Sequence, residues 1–409
     1  MNALTVISTD LLTPLGAYLR LREGGRASFL LESVEQGRLG RHSFVGCGSR
    51  LVSFEEASGQ PVVGYLGYEH AARLESTVPV PDDGRDLPES RFVVADMLVR
   101  FDHGLGMAEV LCGNPDAVAE LLAGPQPSVE PASRARSGST RRLPSRHQYE
   151  RAVEKAKEHI RAGDAFQVVL SQRAERPTSA SALELYRSLR RVNPSPYLFL
   201  LELDGLALVG SSPETLVKAE GRRASLNPIA GTTRPGDGDA ERLLSSEKDR
   251  AEHVMLVDLG RNDLSRACRP GTVRVARFLE PERFSHVTHL VSEVVGELEP
   301  DVSHFDLLRA CFPAGTVSGA PKVRAMQLIA ELEGYRRGPY AGAVLYALPG
   351  EALDACIAIR TVVLHDGVAL LQAGAGIVAD SDAAAEHDEC LRKLAALEMA
   401  IELAEARAA

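Results

Sequence analysis

Tyr197-Leu198-Phe199-Leu200-Leu201-Glu202-Leu203, Asp204-Gly205 and Leu206-Ala207-Leu208-Val209-Gly210 read as one β-hairpin. Two apolar runs flank an Asp-Gly pair, and those two residues tolerate the left-handed backbone of a two-residue turn. The pattern returns as Thr361 to His365, Asp366-Gly367 and Val368 to Leu371. Hairpins impose antiparallel pairing. Between the strands, apolar spacing predicts helices at residues 248–261, 321–333 and 383–404. Another helix is expected where Tyr149, Val153, Ala156 and Ile160 share a stripe, with Gly163 as its stop. A strand over residues 166–172 follows it. The chain therefore reads as α+β, with antiparallel sheets inside and helices outside. No strand runs into a Gly-x-Gly-x-x-Gly helix start, which excludes a doubly wound dinucleotide fold.

Bulk properties narrow the function. The 409 residues carry a net charge of −10, so neither nucleic acid nor an anionic membrane surface is an expected partner. An anionic substrate would need a local cationic site. The six Cys show no zinc spacing and read as idle thiols of a reducing cytosol. No apolar run is long enough to span a bilayer, and the N-terminus lacks the Lys or Arg of a leader. A cytoplasmic location is expected. Residues 124–146, rich in Pro, Ser and Arg, read as an exposed linker between an N-terminal lobe (1–123) and a larger C-terminal lobe (147–409).

Two predicted helices each carry acids three apart: Asp249 and Glu252, then Glu386 and Glu389. Residues three apart share a helix face. Carboxylates set among apolar residues need a cation, and oxygen-only donors favour a hard ion, Mg²⁺ above all beside an anionic substrate. A di-iron site is disfavoured because neither helix carries Glu-x-x-His.

Other motifs are ambiguous singly. Residues 312–322, Phe-Pro-Ala-Gly-Thr-Val-Ser-Gly-Ala-Pro-Lys, precede a helix, with Ser318 or Gly319 near its cap, and suit either an anion site or a plain cap. Gln372-Ala373-Gly374-Ala375-Gly376 allows close backbone approach or a strand bulge. Arg360, at the end of a strand over residues 354–359, and Tyr340 could clamp a carboxylate. Glu214 could act as an acid. His286 and His289 are three apart without a further ligand motif.

Jointly these stretches closely resemble the chorismate-utilising enzymes, with anthranilate synthase component I as the nearest pattern. The segments are 228–232, 247–263, 284–293, 312–326, 337–343, 358–361 and 372–381. The N-terminal part resembles the family more thinly, through Leu30-Leu31-Glu32-Ser33 and Gly64-Tyr65-Leu66-Gly67-Tyr68-Glu69.

The resemblance implies an α/β sandwich of two antiparallel sheets with outer helices and a cleft between the sheets. It implies that Glu252 and Glu389 bind Mg²⁺, with Asp249 and Glu386 supporting the ion through water. The ion would hold the ring carboxylate of chorismate, completed by Ala373, Gly374, Gly376 and Lys393. Tyr340 and Arg360 would hold the enolpyruvyl carboxylate, and Gly231, Thr232 and Thr316 would line the pocket. Glu214 matches the general acid, and His289 a residue tied to pyruvate elimination. Relatives that add water carry Lys where this chain has Gln167, and those that make the 4-amino isomer carry Lys where it has Ala230. Both differences select amination at carbon 2. Ser33, with Pro194, Ser195, Pro196 and Tyr197, matches a feedback site for tryptophan. The chain is short for the family between Phe44 and Gln148 and after Thr233. No Gly-x-Cys-x-Gly nucleophile occurs, so ammonia is expected from a separate glutaminase or from solution. Two alternatives accompany the implied anthranilate synthesis: a 2-amino-2-deoxyisochorismate synthase, and a catalytically silent tryptophan-binding relative.

Overall fold

The computed structural model describes residues 6–33, 41–128, 138–233, 236, 238–283 and 288–407, without the side chains at 230, 232, 248, 249 and 407. Both Asp-Gly hairpins form: Tyr197–Leu203 pairs with Leu206–Ser212, and Thr361–His365 with Val368–Ile377. Asp204 and Gly205 take φ of 51° and 85°, Asp366 and Gly367 of 49° and 71°, so both central residues of each turn are left-handed.

The expected sandwich of two antiparallel sheets is present. Among the described residues the first sheet has 12 strands. Its middle runs Ala27–Glu32, Tyr197–Leu203, Leu206–Ser212, Thr361–His365, Val368–Ile377, Gln167–Pro177. The second has 10, with Thr215–Glu220, Ala352–Ile357, Ala343–Leu348 and Val62–Leu66 side by side. Phe29 and Phe199 of the first sheet meet Tyr65, Val344 and Cys356 of the second in one fully buried cluster. Each such side chain contributes roughly 1.5–3 kcal/mol by leaving water. Helices Ala182–Val192 and Ala383–Arg407 pack Leu185, Leu189, Leu394 and Ile401 with Val362 and Leu371 of the first sheet. Helix Glu247–Ser265 sets Val257 and Leu264 into the cluster that holds Val217 and Val294 of the second.

The early and late parts of the chain share both sheets. Phe29 lies opposite Leu201, and Tyr65 opposite Val344. Within residues 124–146, Arg141–Leu143 forms a strand on Gln167–Pro177, and Ser145 caps helix Arg146–Arg161 through a reciprocal contact with Gln148. A strand as short and polar as Arg141–Leu143 has no readable period. Residues 129–137 lie outside the described residues.

Four elements differ from expectation. Gln167–Pro177 runs past residue 172 because its neighbour pairs with it residue for residue out to Pro177. Gln372 to Ile377 belongs to that neighbour, in unbroken register and without a bulge. Ser318 does not cap the next helix: its Oγ donates to the Ala314 carbonyl at 2.7 Å, and the N-cap of Lys322–Glu333 is Pro321, which offers no side-chain acceptor. The strand expected over 354–359 is Ala352–Ile357, and Arg360 lies beyond it.

Candidate active site

The chain leaves the first sheet for the second between Ser212 and Thr215, and returns between Ile357 and Thr361. The two passages are tied together. The Ser211 amide donates to the Arg360 carbonyl at 3.1 Å, and the Ile357 amide to the Glu214 carbonyl at 3.0 Å. Arg360 holds φ at 49°, a left-handed conformation uncommon outside Gly. Beside these passages lies a cavity of about 1290 Å³, partly open to solvent. Its lining includes Glu214, Gly231, Glu252, His289, Thr316, Tyr340, Arg360, Ala373, Gly374, Gly376, Glu389 and Lys393.

The glycines admit backbone where no Cβ fits. A Cβ on Gly374 would stand 2.7 Å from Tyr340 Oη and 2.9 Å from the Leu170 carbonyl, and one on Gly376 2.5 Å from Gln167 Nε2. Lys393 donates from Nζ to the Gly374 carbonyl at 2.8 Å and pairs with Glu389, one helical turn earlier, at 2.8 Å. Gly231 sits at a register shift in Ile229–Thr233 with φ 66°, and its carbonyl accepts from His289 Nδ1 at 2.8 Å. A carbonyl can only accept, so Nδ1 carries the hydrogen. Burial lowers the pKa of His289. The neutral ring therefore has its basic nitrogen at Nε2.

Glu214 has its pKa pushed up to about 7, chiefly by burial. Thr316, Lys393 and Arg360 pull it down, and the charge of Glu252 adds to the rise. The Thr316 hydroxyl acts on Glu214 without a well-formed hydrogen bond between them. A carboxyl that keeps its proton near neutral pH can donate it.

Glu252 and Glu389 reach the cavity from two different helices. Glu386 does not line it: its carboxylate accepts from Ser381 Oγ at 2.8 Å, because Ser381 precedes the helix and reaches its first turn. The Asp249 and Thr232 side chains, and His286, lie outside the described residues. Among the described residues no group of three or more His, Cys, Asp and Glu could hold an ion alone. Two carboxylates lining one cavity fit a hard ion that would take its remaining oxygens from water and an anionic ligand.

The model of the chorismate binding enzyme family matches residues 27–399. The chain belongs to this family. It is 43% identical to anthranilate synthase component 1 of Streptomyces coelicolor, over 98% of this chain and 88% of that one. With the protein of the same name from Thermus thermophilus it shares 42% identity, over 97% of each chain. Among solved structures, anthranilate synthase component I from Streptococcus pneumoniae superposes with a TM-score of 0.80 at 34% identity, covering 98% of this chain and 100% of that one. The menaquinone-specific isochorismate synthase of Escherichia coli shares the fold, with a TM-score of 0.75 at 22% identity over 97% of this chain and 94% of that one.

A second cavity in this chorismate-binding fold, about 590 Å³, is lined by Ser33, Pro196 and Tyr197 together with Lys218 and Asp354. Ser33 Oγ donates to the Pro196 carbonyl at 3.0 Å, and Tyr197 Oη reaches Asp354 Oδ1 at 3.1 Å. Pro194 and Ser195 line neither cavity. Ser195 instead stands behind a lining residue of the first, its Oγ accepting from Arg360 Nη1 at 3.5 Å.

Sequence reasoning passed over Val169, Leu256 and Gln372 as wall residues. Their apolar or amide side chains carry no chemical signature. It also gave no role to Arg337, Glu333 and Glu69, which stand behind the wall. Glu69 is 268 residues from its partner Arg337, a distance at which no local pattern reports the contact.

Proposed function

We propose that this enzyme is a component I of anthranilate synthase. It adds ammonia to ring carbon 2 of chorismate, releases the 4-hydroxyl as water, and eliminates pyruvate to leave anthranilate for tryptophan biosynthesis. The observation that carries this reading is Glu214, a carboxyl with a pKa near 7 in a cavity that also holds Arg360 and Lys393.

Glu214 would protonate the departing hydroxyl. Arg360 and Tyr340 would orient the enolpyruvyl carboxylate, the guanidinium by a two-pronged contact and the phenol by one donor. Lys393 and the backbone at Gly374 and Gly376 would seat the ring carboxylate. His289, held as the Nδ1–H tautomer by Gly231, presents Nε2 to take up the carbon 2 proton as pyruvate leaves. Glu252 and Glu389 would hold Mg²⁺, with Asp249 and Glu386 behind them. When bound, the ion polarises the ring carboxylate. Gln167 offers no base to activate water, and Ala230 no amine for a covalent route, which supports ammonia as the nucleophile.

Ammonia would come from a separate glutaminase, in a cytoplasmic complex. No helix among the described residues is long and apolar enough to cross a membrane. The second cavity is the proposed tryptophan site. Its Lys218 and Asp354 offer both charges an amino acid needs, and the loop from Asn193 to Tyr197 touches Ser33 on one side and Arg360 on the other.

Incubation with chorismate, ammonium and Mg²⁺ tests the reading, with fluorescent anthranilate as the expected product. An ultraviolet-absorbing, non-fluorescent product would assign aminodeoxyisochorismate synthesis instead. Tryptophan binding without turnover would assign a regulatory protein.

A further inference from the structure

The cavity wall is held from behind by a buried polar frame. Arg337 and Glu333 are 1% and 3% exposed and pair at 2.7 Å. The guanidinium also donates to the carbonyls of Val317 and Val169, each at 2.8 Å, and lies 5.6 Å from the centre of the Tyr340 ring. Glu333 accepts the Ser171 amide and hydroxyl, and Ser171 Oγ accepts from Gln372 Nε2 at 2.8 Å. Val169, Val317, Tyr340 and Gln372 all line the substrate cavity, whereas Arg337 and Glu333 do not. One cation thus ties a strand, a helical turn and the Tyr340 segment together.

The frame is anchored by the early part of the chain. The Glu69 carboxylate accepts the Arg337 amide at 2.6 Å and the Gly338 amide at 3.0 Å, and the Tyr68 amide donates to the Gly338 carbonyl at 2.8 Å. Tyr68 also lies under the Arg337 guanidinium, 4.6 Å from ring centre to cation. Gly338 and Ala341, on either side of Tyr340, both have φ of 63°. Glycine adopts this conformation freely, but Ala341 holds it only because its surroundings fix it.

We infer that Glu69 is a positioning residue: by clamping the Arg337 and Gly338 amides it sets where the Tyr340 hydroxyl stands in the wall. This rests on the reading that Tyr340 contacts substrate. Glu69→Gln keeps the shape but replaces one of the two acceptor oxygens with a donor that opposes an amide.

Two measurements on the full chain test it. In a cycle of Glu69→Gln, Tyr340→Phe and the double variant, each single change should lower kcat/KM about tenfold, mainly through KM, and the double should lose little more than either. The second labels the protein with 3-fluorotyrosine and identifies the Tyr340 fluorine resonance by its loss in Tyr340→Phe. Glu69→Gln should move that resonance. An unmoved resonance overturns the inference even if chorismate proves not to be the substrate. Additive losses in an active enzyme overturn it too. A wild-type chain without turnover would instead remove the proposed function and leave the fluorine spectrum to decide the positioning role.

Discussion

Glu214 and Arg360 stand on adjoining passages between the two sheets, held there because Ser211 donates to the Arg360 carbonyl and Ile357 to that of Glu214. Neither residue occupies a regular strand position. Side chains in a ladder point to one face or the other, whereas these two sit where the chain turns from one layer to the next and can face the gap between layers.

The first prediction concerns the acid. Glu214→Gln should cut kcat by about 100-fold or more while leaving KM within a few-fold, the usual scale for losing a positioned proton donor. In the wild type, kcat/KM should fall above pH 7, since the proposed donor is the protonated carboxyl and its pKa in the free protein is about 7. Steady-state kinetics between pH 5.5 and 9 checks both. An unchanged kcat in the variant would remove Glu214 from the chemistry.

The same carboxyl predicts a stability profile. Its folded pKa of about 7 lies above the ordinary 4.5, so between those values the folded chain binds the extra proton. Stability therefore falls as pH rises through that window and stays lower above it. Gln cannot titrate. The Tm of Glu214→Gln relative to wild type should rise from pH 5 to pH 8, and a difference that stays flat across that range would contradict the shift.

Glu252→Gln and Glu389→Gln should each abolish divalent-dependent anthranilate formation with the circular dichroism spectrum unchanged. Wild-type activity should vanish with chelator and return with added Mg²⁺. Full activity of either variant in chelator would exclude the two carboxylates as ligands.

Gly374→Ala should lower kcat/KM by about tenfold or more. The new methyl would press on Tyr340 Oη and on the Leu170 carbonyl, and a backbone oxygen in the adjacent paired strand cannot give way cheaply. Overpacking of this kind typically costs about 1–3 kcal/mol. Kinetics with varied chorismate decides the matter, and a wild-type value would mean that the wall yields.

Ser33→Ala should weaken tryptophan inhibition by about tenfold, the worth of roughly one hydrogen bond, here that to the Pro196 carbonyl. Inhibition curves at fixed chorismate measure it. An unaltered curve would separate Ser33 from any feedback site.

Local chemistry was legible and long-range order was not. The Asp-Gly turns announced both hairpins because a two-residue turn depends on its own two residues. The acids at 252 and 389, the glycines at 374 and 376, and Glu214 could be singled out because each belongs to a distinctive short string, and the fold brings them to one cavity. Glu386 was placed behind the ion by its spacing and by the resemblance, and its carboxylate also accepts from Ser381 Oγ, a contact that spacing cannot express. Sheet order, the passages at 213 and 358–360, and the Glu69–Arg337 contact arise from pairings between distant segments.

That Tyr65 faces Val344 has a consequence for how the protein is made. On the ribosome, Val62–Leu66 emerges long before Ala343–Leu348 exists. One rim of that strand stays unpartnered through most of translation, with a ready template for stray strand addition. Assembly is timed by the last quarter of the polypeptide. Nascent chains released early should accumulate as aggregates rather than as smaller working enzymes.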